Sequence, residues 1–181
     1  MRPFYLLLSF SVAAASAAAQ NPEAAASNGA VSTSRQLWQD VTGNITAVAQ
    51  ELPESLYAYK PTPEVRSFGQ LIGHVAGSQY LFCAAALGEA ERAEDAIEKT
   101  ATSKTALVAA LKASTEYCNR AYGQSDADAT TATQLFGQAQ SRLYALAMNA
   151  VHNGEHYGNL VTYLRLNGIV PPSSRPRPQG S

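Results

Sequence analysis

Between residues 35 and 52 the apolar positions Leu37, Trp38, Val41, Ile45, Val48 and Leu52 recur at steps of three and four. That spacing lays one stripe along one face and predicts an amphipathic helix, which Pro53 ends. The stretch Tyr57 to Pro63 carries Pro61 and Pro63, which disfavour helix in the residues before them, so an extended connection is expected. Ser67 with Gln70 forms a Ser-x-x-Gln capping box at the start of a second helix. Phe68, Leu71, Ile72, Val75, Phe82 and Cys83 make its stripe, and Gly88 is placed to end it in a left-handed conformation. The charged residues 89 to 102 predict a crossover with a short helical piece. A third helix follows from Lys104 to Tyr122, with Leu107, Leu111, Ser114 and Cys118 in line and Thr102 or Ser103 as its cap. A polar loop to Thr133 is expected next. The last helix is expected from Gln138 to Asn167, stopped by Gly168 and Pro171-Pro172. No segment alternates with a period of two. The fold class expected is therefore all-α, a four-helix bundle with a long crossover between helices two and three, occupying residues 35–172.

The ends of the chain follow other rules. Arg2, the apolar run Phe4 to Val12 and the small residues Ala15 to Ala19 predict a secretory signal peptide over residues 1–19. That apolar run is shorter than the roughly 20 residues of a spanning helix, so cleaved export to the periplasm or beyond is expected, with no stable membrane span afterwards. Residues 20–34 are small and polar and read as a flexible linker, and residues 173–181 as a disordered tail. The 13 basic and 14 acidic residues nearly cancel. A nucleic-acid partner is not expected, since it would call for a clustered basic excess. Cys83 and Cys118 allow one disulfide in an oxidising compartment, or two small buried core residues. If the crossover sets helices two and three parallel, both cysteines fall in the C-terminal thirds at the same height. The bridge then requires only Cα atoms closer than about 7 Å.

The chemistry concentrates in three histidines. His152 and His156 lie four apart, about 40° from each other around a helix and one turn apart, which lets two imidazoles share one ion. His74 stands mid-helix among Ile72, Gly73, Val75 and Ala76, where a polar ring needs a partner. Three ring nitrogens around one ion would leave a position open for water or substrate. The competing reading is a satisfied core histidine plus a chance surface pair. Met148, Asn149, Asn159 and Tyr163 share the azimuth of the pair, and small Gly77 and Ser78 follow His74. This predicts a polar, roomy pocket, with close helix packing at Gly77 as the alternative. The run His152-Asn153-Gly154-Glu155-His156 also fits H-x-x-E-H. Such peptidases take a further Glu ligand far downstream, and no acidic residue follows His156 here, so Glu155 reads as a solvated or supporting carboxylate.

Two stretches together resemble the DinB-like domain family. They are Tyr59-Lys60-Pro61-Thr62-Pro63-Glu64-Val65-Arg66-Ser67-Phe68-Gly69-Gln70-Leu71-Ile72-Gly73-His74-Val75, and His152-x-x-x-His156-Tyr157-Gly158-Asn159-Leu160 continuing through Tyr163-Leu164-Arg165-Leu166-Asn167-Gly168 to Ser173. The resemblance covers roughly residues 35 to 174. It implies the crossover bundle and a metal site of one histidine from helix two and two from helix four, carried onto His74, His152 and His156. Zinc or nickel is the divalent ion implied. A metal-dependent hydrolase or a thiol S-transferase acting on a small molecule is the activity implied, with a non-catalytic metal- or ligand-binding bundle beside it. Relatives also imply a homodimer, although no exposed apolar stripe marks one here. The family often has a basic residue or histidine where Tyr157 stands and Gln where Asn159 stands, so the surroundings of the site depart from its pattern. No residue is assigned a catalytic role; Glu155, Tyr157 and Tyr163 are the nearby proton carriers.

Overall fold

The first helix starts earlier than its stripe predicts, and the reason lies far along the chain. In the computed structural model, which describes residues 29–176, α1 spans Ala30–Glu51. Gly29 gives it no side-chain cap. Instead the Asp126 carboxylate accepts from the backbone N–H groups of Ala30 at 3.1 Å and Val31 at 2.8 Å. A carboxylate at a helix N-terminus satisfies orphan donors and complements the dipole, so residues 30–34 are helix and not linker. The signal-peptide segment, the rest of the expected linker and residues 177–181 lie outside the described residues.

The connection after α1 is folded back, not extended. A 3-10 turn at Glu54–Leu56 brings Tyr57 round so that its hydroxyl donates to the Ala49 carbonyl. Gly69 N–H then donates to the Tyr57 carbonyl at 2.9 Å. α2 spans Phe68–Leu87; its capping box, Ser67 with Gln70, is complete, and Gly88 ends it with φ at 70°. The crossover holds a short α3, Ala96–Thr100. α4 spans Lys104–Ala121 and is capped by Ser103.

α5, Asp126–Ala129, leads into an element that the hydrophobic pattern does not predict. β1, Ala132–Leu135, pairs antiparallel with β2, Gln138–Ser141. Phe136 and Gly137 make the two-residue turn, both with positive φ, at 51° and 72°. Such a primed turn matches the strand twist, and glycine at its second position carries no steric cost. The hairpin is held by tertiary contacts: Leu135 is buried and Thr133 Oγ1 donates to the Ala85 carbonyl at the end of α2. The last helix, α6, consequently starts at Arg142, capped by Ser141, and runs to Leu166. Beyond it the chain is not a loose tail at once. Pro172–Ser174 form a 3-10 turn pinned by the Tyr157 hydroxyl, which donates to Ser173 Oγ at 2.9 Å.

Contacts fix the helix directions. Gly73 meets Leu107 and Gln79 meets Ser114, advancing together along α2 and α4, which are parallel. Early α1 (Val31, Trp38) packs with late α2 (Leu81, Phe82) and early α6 (Leu146), and late α1 (Ile45, Val48) with early α2 (Phe68, Leu71) and late α6 (Leu160, Leu164), so α1 runs with α6 and against α2; Thr42 pairs with Asn153 between the two ends. Cys83 and Cys118 form a disulfide with Cα atoms 5.3 Å apart, between the parallel pair. No helix among the described residues is long and apolar enough to cross a membrane.

One buried polar chain ties three helices. The Trp38 indole N–H donates to Gln79 Oε1 at 2.8 Å, and Gln79 Nε2 donates to Ser114 Oγ at 2.9 Å. Gln79 and Trp38 are almost wholly buried. Gln79→Met keeps the volume but orphans the indole N–H, and a cost of about 1–3 kcal/mol is expected. Urea unfolding monitored by Trp38 fluorescence checks it, and an unchanged midpoint would contradict it.

Candidate metal centre

The antiparallel crossing of α2 and α6 turns three local spacings into one cluster. His74 comes from the middle of α2, and His152 and His156 from successive turns of α6. Each of the three rings offers a ligand nitrogen, and these nitrogens all lie within 4.8 Å of one another. The two α6 rings meet through Nε2 atoms 3.1 Å apart. His74 packs edge-on to His156, with ring centroids 4.6 Å apart. Phe82 stands behind His152 at 5.3 Å. His74 and His156 are buried, and the His152 side chain is 14% exposed.

Burial dominates the electrostatics. It penalises the charged rings, and repulsion from His74 on His152 and from His152 on His156 adds to it, so His152 and His156 are pushed down to about 4. His74 is lowered too, first by burial and next by the Arg66 charge. The rings are therefore neutral near pH 7, the form that ligates metals. His74 Nδ1 and His152 Nδ1 are buried without a hydrogen-bond partner. Asn159 lies 3.4 Å from His156 Nδ1 and can present its amide oxygen or nitrogen to it.

Two residues of this site have no counterpart in the motif reading. Glu94 and Glu98 reach the cluster from the crossover. Glu94 Oε1 lies 3.4 Å from His152 Nε2 and 3.8 Å from His74 Nε2. Glu98 Oε2 lies 3.7 Å from His74 Nδ1, and both its oxygens are gripped at 3.1 Å by Arg66 Nε. The signal for them is a pair of glycines flanking His74. A Cβ on Gly77 would collide with the Glu94 carbonyl, and one on Gly73 would lie 2.9 Å from Glu98 Cα. Bare Cα atoms let the crossover lie directly on α2. Gly77 thus serves close backbone packing, and the roomy pocket expected opposite the histidine pair is filled at that point by residues 94–98.

The other neighbours sort differently from their azimuths. Asn149 is fully buried beside the disulfide and donates to the Tyr122 hydroxyl at 3.3 Å. Met148 packs on the same apolar cluster. Tyr163 donates to the Arg66 carbonyl at 2.8 Å, and Tyr157 serves the C-terminal turn. Glu155 is exposed. A cleft of about 510 Å³ opens beside the cluster, lined by Glu64, Arg66, Leu71, His156, Asn159 and Tyr163 among others.

The family model described as the DinB superfamily matches residues 37–160. Among solved structures, a DinB-like protein from Bacillus cereus superposes with a TM-score of 0.66 at 16% identity, covering 77% of this chain and 93% of its own. A DinB-like protein from Bacillus subtilis superposes with a TM-score of 0.61 at 21% identity, covering 76% and 93%. No curated protein sequence matches the chain. The matched span holds α2 and α4 whole, most of α1 and α6, and the three clustered histidines, and the chain belongs to the DinB superfamily.

Proposed function

We propose that this chain is an exported DinB-superfamily protein that holds one divalent ion, zinc or nickel, on His74, His152 and His156, and serves as a metal-dependent hydrolase or thiol S-transferase. The observation that carries the reading is the convergence of three neutral ring nitrogens within 4.8 Å in a buried setting, with two Nδ1 atoms left over. Three imidazoles packed together, two of them buried, are costly unless something shared satisfies their facing nitrogens, and the donor set suits zinc or nickel. An ion there would supply Lewis acidity toward water or a thiol. The chain's own groups bind and orient: Phe82 and the crossover keep bulk water from the rings, and the adjoining cleft gives a small molecule room beside His156. Export is supported by the leader-like first 19 residues and by the Cys83–Cys118 bridge, which persists best in oxidising compartments.

Elemental analysis of the untagged protein tests this, alongside His74→Ala, His152→Ala and His156→Ala. About one ion per chain is expected in the wild type and a large loss in each variant. Metal-free wild type that takes up neither zinc nor nickel on reconstitution would sink the proposal. Metal-loaded protein inert toward broad ester, amide and thiol-transfer panels would reduce it to the binding role.

A further inference from the structure

Glu94 is held with more care than a surface carboxylate needs. Its backbone lies on Gly77, where any side chain would displace it. Its Oε1 accepts from Ser78 Oγ at 2.9 Å, and Ser78 is fully buried. That same oxygen faces His152 Nε2 at 3.4 Å and His74 Nε2 at 3.8 Å. Arg66, the cation on this side of the cluster, is engaged by Glu98.

We propose that Glu94 is a fourth ligand, so that the site is three imidazoles and one carboxylate, closed by the crossover. This rests on the three-histidine reading above and deepens it. Four ligand atoms at about 2.0–2.1 Å in a tetrahedron stand roughly 3.4 Å apart along each edge. Three of the six edges lie near that length: 3.1 Å between the α6 rings, 3.4 Å from Glu94 to His152 and 3.8 Å from Glu94 to His74; binding of the ion would draw Glu94 toward His156 to complete the set. Charge agrees. Three neutral rings leave a divalent ion with its full charge in a partly buried place, and one carboxylate halves it. Glu98 cannot share this role, because it addresses the opposite nitrogen of His74; it orients that ring. A small molecule reaching the ion from the cleft beside His156 would either displace Glu94 or enter as a fifth ligand.

Cobalt(II) titration of the untagged full chain tests this through the visible absorption of the bound ion and its competition with a chromogenic chelator. Wild type, Glu94→Gln, Glu94→Asp and His152→Ala are compared, with circular dichroism of each apo form to confirm the fold. The wild type is expected to give intense four-coordinate cobalt bands. Both Glu94 variants should bind at least tenfold more weakly with altered bands. The aspartate retains the charge but withdraws the oxygen, so it separates ligation from mere proximity of charge. Unchanged affinity and spectrum in both Glu94 variants would overturn the fourth-ligand proposal and leave the three-histidine site standing. Wild-type affinity in Glu94→Asp alone, with unchanged bands, would show that charge suffices and would also overturn it. No cobalt uptake by the wild type would instead remove the three-histidine reading itself.

Discussion

Reducing the Cys83–Cys118 bridge, whose ends are 35 residues apart, is expected to cost the bundle about 4 kcal/mol, the loop-closure entropy that such a bridge removes from the unfolded chain. At this size, that corresponds to a fall in Tm of roughly 10 °C. The bridge joins the parallel pair α2 and α4 in the apolar cluster that also holds Leu81, Phe82 and Leu146. A Cys83→Ser/Cys118→Ser variant adds the burial of two hydroxyls to the lost constraint, so it should be at least as unstable as the reduced wild type. Urea unfolding with and without reductant measures both. Equal midpoints would show that the two sulfurs contribute packing and no constraint.

The second large effect is expected when metal-free protein is acidified. His152 and His156 sit at about 4 in the fold because burial opposes their charging. In the unfolded chain, histidine protonates near 6.5. Between those values the unfolded state binds more protons, so stability must fall as pH drops from about 6.5 to about 4. The pair is worth on the order of a few kcal/mol, less than two independent groups, because adjacent rings titrate together. A His152→Gln/His156→Gln variant should have a much flatter urea midpoint across that window. Saturating zinc should stabilise the wild type by about 2.7 kcal/mol at a hundred times Kd, raising its midpoint, and lose that effect as protons compete for the rings. Parallel pH slopes in wild type and variant would mean that the rings are not held neutral by the fold.

What could be read from the sequence was local. Ser67 with Gln70, Gly88 and the i, i+4 histidines of α6 act within one or two turns, and the structure keeps each. His74 stood out as a polar ring in apolar company mid-helix, and the DinB-like motifs then joined it to the pair. What could not be read was fixed by distant contacts. The start of α1 depends on Asp126, and the hairpin at 132–141 depends on a left-handed Phe136 and on the docking of Leu135, not on alternation. Glu94 and Glu98 looked like ordinary charges of a solvated crossover. Only the bare backbone of Gly73 and Gly77 brings them to the rings. The two cysteines could be read either way until the parallel course of α2 and α4 put their Cα atoms 5.3 Å apart.

The pairing of α1 with α6 also carries a kinetic cost. Thr42 and Asn153, joined across 111 residues, and the Asp126 cap on α1 make the first helix dependent on the last part of the chain. Loop-closure entropy must be overcome before such contacts stabilise anything. An emerging chain can join α1, α2 and α4 through Trp38, Gln79 and Ser114 while the apolar face that α6 covers, with Ile45 and Val48, is still exposed. The interval before α6 arrives is therefore when this protein is most prone to aggregate, and the docking of α6 should limit its rate of folding.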